Sequence, residues 1–178
     1  MSKRLNLREY QQNLIDQLQA ENLSSARVST LGVQIGGQNW LVDMVDVSEV
    51  LPVPALTAVP STKQWFRGVA NVRGNLYGVV DIAGFQQSRA DPRSQIGSGT
   101  GSGQASGNIN NRILLVAGRF AFNVALLVDN VLGLRDTRNW HQSAAFGQTE
   151  YQDEQGTVWQ KLDVSNLLGQ AEFLQIGN

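Results

Sequence analysis

The sequence predicts a mainly β protein built from two small five-stranded barrels with short helices. Three observations carry that prediction. Short runs rich in β-branched and aromatic residues recur, glycine- or asparagine-bearing turns separate them, and the pattern begins again after a central low-complexity stretch. With 178 residues and 42% hydrophobic side chains, the chain is long and apolar enough to bury a real core. Charged residues make up 16%, and 14 basic against 15 acidic side chains leave a net charge of -1, so no overall field for nucleic acid or membrane exists. The absence of cysteine excludes disulfide and thiolate chemistry. No apolar run of signal-peptide or membrane-spanning length is present, and the expected location is the cytoplasm, with no direct membrane insertion.

Taken in order, residues 1–23 form an N-terminal extension. Asn6 and Glu9 have the spacing of a capping box, and Leu7, Tyr10, Leu14, Ile15 and Leu18 recur at intervals of three and four, which predicts an amphipathic helix from Leu7 to Ala20. Such a stripe either docks on the domain or receives a partner. The rest, 24–178, divides at the sequence level into a first barrel over about 24–87, an insert over 88–111 and a second barrel over about 112–178.

Val28 to Ile35 and Trp40 to Val47 are strand-like runs joined by Gly36-Gly37-Gln38-Asn39, and pairing should stop at Pro52 because proline has no N–H for a central ladder. Pro60-Ser61 predicts a short helix carrying Trp65 and Phe66. Val69 to Arg73 and Leu76 to Ile82 then form a hairpin about Gly74 and Asn75, whose outward face carries Val69, Asn71 and Arg73.

The insert has a Gly-Ser-Gly-Thr-Gly-Ser-Gly centre from Gly97 to Gly103, a composition that predicts disorder. A phosphate-cradling loop is excluded because the insert has no lysine, and no strand leads in or helix out. Beyond it, Ile113 to Ala117 and Phe120 to Val128 predict a hairpin that Val131 to Arg135 extends, and Thr157 to Leu162 follows a turn at Asp153 to Gly156. Asp81, Asp129 and Asp163 each end an apolar run, which local capping explains; Asp163 should cap a helical turn from Val164 to Leu168.

Catalysis finds no foothold. His141 is the chain's one histidine and has no orienting acid or nucleophile motif, and clusters of His and Cys for a metal are missing. The protein is read as a non-enzyme that needs no cofactor.

Arg67-Gly68-Val69-x-Asn71-x-Arg73-Gly74, followed by Gly78-Val79-Val80-Asp81-Ile82, resembles the signature of the CheW-like family of chemosensory coupling proteins. The sequence departs at Val72, where the family usually has leucine, and at Gly78, where it usually has proline; both changes preserve a strand. The resemblance covers about Thr30 to Leu168 and implies paired small barrels and a scaffold. Its implied partners are the regulatory domain of a CheA-like histidine kinase and the cytoplasmic tip of a methyl-accepting chemoreceptor. It implies a binding surface made by Val47, Glu49, Arg67, Asn71, Arg73 and Gly74, with Glu49 pairing to Arg73 and Asn71 bonding the turn backbone. The N-terminal helix resembles the PilI branch, associated with type IV pilus twitching motility, so the implied output is twitching motility or chemotaxis. The alternative from the residues is a single-stranded nucleic-acid module that uses Trp65, Phe66, Arg67, Arg73 and Tyr77. Asp43, Asp46, Glu49 and Asp81 in the same half oppose it by mixing the local charge, so nucleic acid is not an expected partner.

Overall fold

A computed structural model describes residues 30–90, 109–145 and 148–177. The expected N-terminal helix and most of the Gly/Ser-rich insert lie outside these described residues.

β1 (Thr30–Ile35) and β2 (Gln38–Asp43) form an antiparallel hairpin in which Ile35 pairs with Gln38. The loop is therefore two residues, Gly36 and Gly37, with φ of +58° and +78°, tighter than the four-residue turn expected. A 3-10 turn, Met44–Asp46, carries the chain to β3 (Val47–Pro52), which does end at the proline. β4 (Phe66–Val72) and β5 (Asn75–Asp81) make the central hairpin, and α1 (Ile82–Ala90) follows, capped by Asp81 Oδ1 accepting from the Gly84 amide at 3.0 Å. Ile82, expected to end the hairpin strand, and Ser88, expected to begin the insert, both belong to this helix. The helix expected after Pro60 does not form. Ser61 has a positive φ of 57°, Thr62 makes an isolated bridge with Gly177, and Phe66 already belongs to β4.

β6 (Arg112–Val116) and β7 (Val124–Val128) pair antiparallel around a 3-10 turn, Gly118–Phe120. β8 (Asn130–Arg135) leaves that hairpin for β1, contrary to the expected extension. β9 (His141–Ala145), β10 (Gln148–Gln152) and β11 (Val158–Leu162) are joined antiparallel, the first two unforeseen because the run from His141 to Gln152 is polar. α2 (Val164–Gly169) starts as expected, with Asp163 Oδ1 accepting from the Asn166 amide at 2.8 Å, and α3 (Ala171–Leu174) closes the described chain.

The fold is mainly β, in two sheets ordered β8-β1-β2-β11-β10-β9 and β3-β6-β7-β5-β4. One sheet thus has six strands, and neither consists of one sequence half. The division into consecutive barrels over 24–87 and 112–178 is corrected by two parallel pairings, β2 with β11 and β5 with β7, that tie the halves together. Parallel neighbours need a long crossover, which alternating hydrophobicity along single strands does not reveal.

A shared core fills the space between the sheets. Val33, Trp40, Val42, Val80, Ile82, Leu114, Leu126 and Leu162 are buried there. Trp65 joins it, 3% exposed, stacked on Phe173 at 5.9 Å and edge-on to Phe85 at 5.1 Å. A second cluster around Ala70, Val72, Val79, Ile113, Leu115 and Ala125 lines the five-stranded sheet. That sheet curls until its edge strands β3 and β4 approach, and Thr57 caps the free side of β4 through backbone bonds with Val69 of 2.8 and 2.9 Å. A Cβ on Gly68 would lie 2.2 Å from the Thr57 carbonyl oxygen, so only glycine lets this closing segment pass.

Candidate partner-binding site

The hairpin end of β4 and β5 is rigid for local reasons. Val72 pairs with Asn75, leaving Arg73 and Gly74 as a two-residue turn with φ of +51° and +87°, both in the left-handed region that such turns require. The turn thus lies one residue earlier than the Gly74 and Asn75 expected from the sequence. Asn71 Oδ1 accepts from the Gly74 amide at 2.9 Å, bracing the turn from inside. Arginine is a costly residue at a positive φ, because its Cβ crowds the backbone. Its side chain is spent outward: Arg73 Nη2 donates to Glu49 Oε1 at 2.6 Å.

Glu49 lies on β3, at the opposite edge of the same sheet. The ion pair therefore spans the two edges that curling brings together. Arg73 remains 73% exposed and Glu49 28%, so the guanidinium keeps donors facing solvent while the carboxylate fixes its direction. Leu76, paired opposite Asn71 and 61% exposed, adds an apolar element to the same end. Leu76 was expected only as part of the second hairpin strand, and its exposure follows from its place beside the turn.

Two expected members are placed elsewhere. Val47 is 7% exposed and belongs to the shared core; the register shift between Val47 and Glu49 on β3 turns Glu49 outward while Val47 points in. Arg67 is the extra residue of a bulge between Phe66 and Gly68, roughly 20 Å along the strand from Arg73. The hairpin end therefore gathers Glu49, Asn71, Arg73, Gly74 and Leu76. Burial of Trp65 removes the main stacking platform of the nucleic-acid alternative.

A separate groove of about 1000 Å³ runs where β2 and β11 meet α1 and α2. Buried Trp40, Phe85, Leu162 and Leu167 form its floor. Its walls carry two ion pairs, Lys161 with Asp43 and Arg119 with the 6%-exposed Asp46, whose burial makes its partner necessary. The far side of the six-stranded sheet is aromatic, with Arg135 over Trp159 at 5.1 Å and Trp140 against the same ring at 5.4 Å. Burial alone would raise the Asp153 carboxyl, but the Trp159 indole N–H and the Thr157 and Gln155 amides outweigh it and hold the group below the usual aspartate range. The Arg138 guanidinium is raised by its hydrogen bond and charge pairing with Asp136.

His141 opens the edge strand β9 and is exposed. Among the described residues, no group of three or more His, Asp or Glu side chains is arranged to hold a metal, and no helix is long and apolar enough to cross a membrane.

Comparison with known proteins adds three findings. A family model described as the CheW-like domain matches residues 29–172. Protein PilI of Pseudomonas aeruginosa is 33% identical over 107 residues, covering 60% of this chain and 52% of the relative, so the chain spans about half the length of the curated protein it matches. Among solved structures, the scaffolding protein TtCheW from Thermoanaerobacter tengcongensis aligns with a TM-score of 0.56 over 78% of this chain and 85% of that one, at 15% identity, a likeness of fold.

Proposed function

The chain belongs to the CheW-like domain family, and from that premise we propose that it is a non-enzymatic coupling scaffold joining a methyl-accepting chemoreceptor to a CheA-like histidine kinase in the cytoplasm. One observation supports this most directly. The exposed Glu49–Arg73 pair sits on a braced turn, with an apolar neighbour in Leu76, and faces solvent rather than a core. A carboxylate that holds one face of a guanidinium leaves its other donors aimed at an incoming acidic group, in the bidentate geometry that makes arginine a recognition residue. Glu49, Asn71, Arg73 and Gly74 are the residues assigned to the helical tip of the receptor. Arg67, remote along β4, is assigned to a separate contact on that edge, and the regulatory domain of the kinase is the partner proposed for it.

A scaffold of this kind works without a cofactor. Holding receptor and kinase on one body raises the effective concentration of each for the other, and binding both allows a receptor state to bias a kinase state. The PilI likeness supports twitching motility driven by type IV pili as the output, with flagellar chemotaxis the other member of the same class. Residues 24–178 would be the coupling unit and 1–23 an extension to it.

The test is capture from native lysate with the tagged chain, wild type beside Arg73→Ala, read by mass spectrometry. Recovery of a kinase and a receptor by the wild type, with the receptor lost from the variant, supports the assignment. Equal recovery of both partners by the two proteins removes Arg73 from the interface, and recovery of neither partner by the wild type removes the scaffold role.

A further inference from the structure

The outer side of β4 is closed by a thin piece of chain. β4 ends its sheet, and the segment that leads into it from β3 passes antiparallel beside it. Both ends of that segment are anchored. Val53 and Leu56 pack against the Ala70 and Val72 cluster, and Trp65 is buried in the shared core. Between these anchors Thr57, Ala58, Val59, Pro60 and Ser61 are all exposed. Two backbone bonds tie the stretch to β4: the Thr57 N–H donates to the Val69 carbonyl at 2.8 Å, and the Val69 N–H to the Thr57 carbonyl at 2.9 Å. Ser61 holds a positive φ of 57°, a conformation that a non-glycine residue keeps only when its surroundings impose it. The tail beyond α3 supplies that constraint. The Lys63 N–H donates to the Ile176 carbonyl at 2.8 Å, and Thr62 makes a bridge with Gly177.

Exposed chain with few apolar contacts and solvent-facing hydrogen bonds is the part of a native protein that opens first. The β4–β5 ladder does not depend on this stretch, since it pairs from Phe66 to Val72 on the other side of β4. The bulge does depend on it. Arg67 is the extra residue between Phe66 and Gly68, and Gly68 keeps its φ of +119° where the Thr57 carbonyl passes. We propose that residues 57–62 form a latch that opens as a local unit, that Ile176 and Gly177 clasp it shut, and that the closed latch sets the direction of Arg67. The regulatory consequence rests on the assignment of Arg67 to the kinase. Opening releases the bulge and withdraws that contact, while Asn71 and Glu49 still hold the Arg73 end in place.

Native-state hydrogen exchange over a series of low urea concentrations compares the Thr57 and Val69 amides with those of Leu114 and Leu126 in the core. A latch makes the first two exchange faster and almost independently of urea, whereas the core amides follow global unfolding. A chain ending at Gln175 lacks the clasp and keeps Phe173; its Thr57 and Val69 amides should exchange about tenfold faster or more, with the core amides unchanged. One urea slope shared by all four amides overturns the latch, and unaltered Thr57 and Val69 rates in the shortened chain overturn the clasp. Titration with the kinase regulatory domain then reads the consequence: the shortened chain should bind it more weakly while keeping its affinity for the receptor tip. Equal kinase binding by both chains, with the latch open in one, overturns the positioning of Arg67. Failure of the full chain to bind the kinase counts against the coupling role, and the latch itself is decided by exchange, which needs no partner.

Discussion

Replacing Arg73 by asparagine separates its cost to the fold from its use to a partner. At φ of +51° an arginine carries an unfavourable backbone conformation worth about 1 kcal/mol, which asparagine largely escapes. Against that gain stands the lost ion pair. At 2.6 Å in a water-like dielectric its Coulomb energy is about 1 to 2 kcal/mol. Ordering two long side chains offsets most of this, leaving roughly 0.2 to 1 kcal/mol for a guanidinium that is 73% exposed. The two contributions nearly cancel, so urea denaturation should place Arg73→Asn within about 1 kcal/mol of the parent, with an unchanged slope. Binding has no such compensation. Loss of a charge-assisted hydrogen bond costs about 1.5 to 3 kcal/mol, which corresponds to roughly 10- to 150-fold in Kd for the partner that engages Arg73. Isothermal titration against the receptor tip and the kinase regulatory domain reads it directly. A loss of more than about 2 kcal/mol in stability with unchanged affinity for both would show that the pair only braces the sheet edges, and the reasoning would fail.

Three further outcomes test the fold around this site. Trp65→Ala removes the centre of the Phe85 and Phe173 cluster and should cost about 3 to 5 kcal/mol, read as a fall of roughly 6 to 20 °C in the thermal midpoint; a shift under about 3 °C would mean that the site collapses without a cavity. Gly68→Ala drives a methyl into the Thr57 carbonyl at a φ of +119° and should cost about 2 to 4 kcal/mol, with faster amide exchange at Val69 as the bond to Thr57 opens. Normal exchange at Val69 would contradict the close passage. Asp153 is held below the usual value of 3.8, so its ionised form is the one the fold favours. Its stabilisation is complete well above that value and disappears as pH falls through the lower folded value. Asp153→Asn should flatten stability against pH only in that acid range, and an unchanged acid slope would show that Trp159 does not depend on the carboxylate.

Local features were legible in the chain because their causes are local. A turn within Gly36 to Asn39, the pairing limit at Pro52, the helix cap at Asp163 and a hairpin turn at Gly74, within one residue of its true place, follow from what glycine, proline and short acidic side chains permit within a few residues. The motif from Arg67 to Ile82 carried the family for the same reason, since it is contiguous. Tertiary structure decided what depends on remote partners. Val47 and Glu49 lie two residues apart on one strand, where simple alternation would put them on the same face; the register shift against β6 buries one and exposes the other. Trp65 is enclosed by Phe85 and Phe173, which arrive from distant elements. The parallel pairing of β2 with β11 joins residues more than a hundred positions apart, and the curl that sets Glu49 beside Arg73 arises from the strand order of a whole sheet. Sequence by itself determined the apolar strands, the approximate turn positions and the family; only the folded chain decided which strands are neighbours and recruited the polar β9 and β10, because strand patterning specifies a face to bury and leaves the partner open.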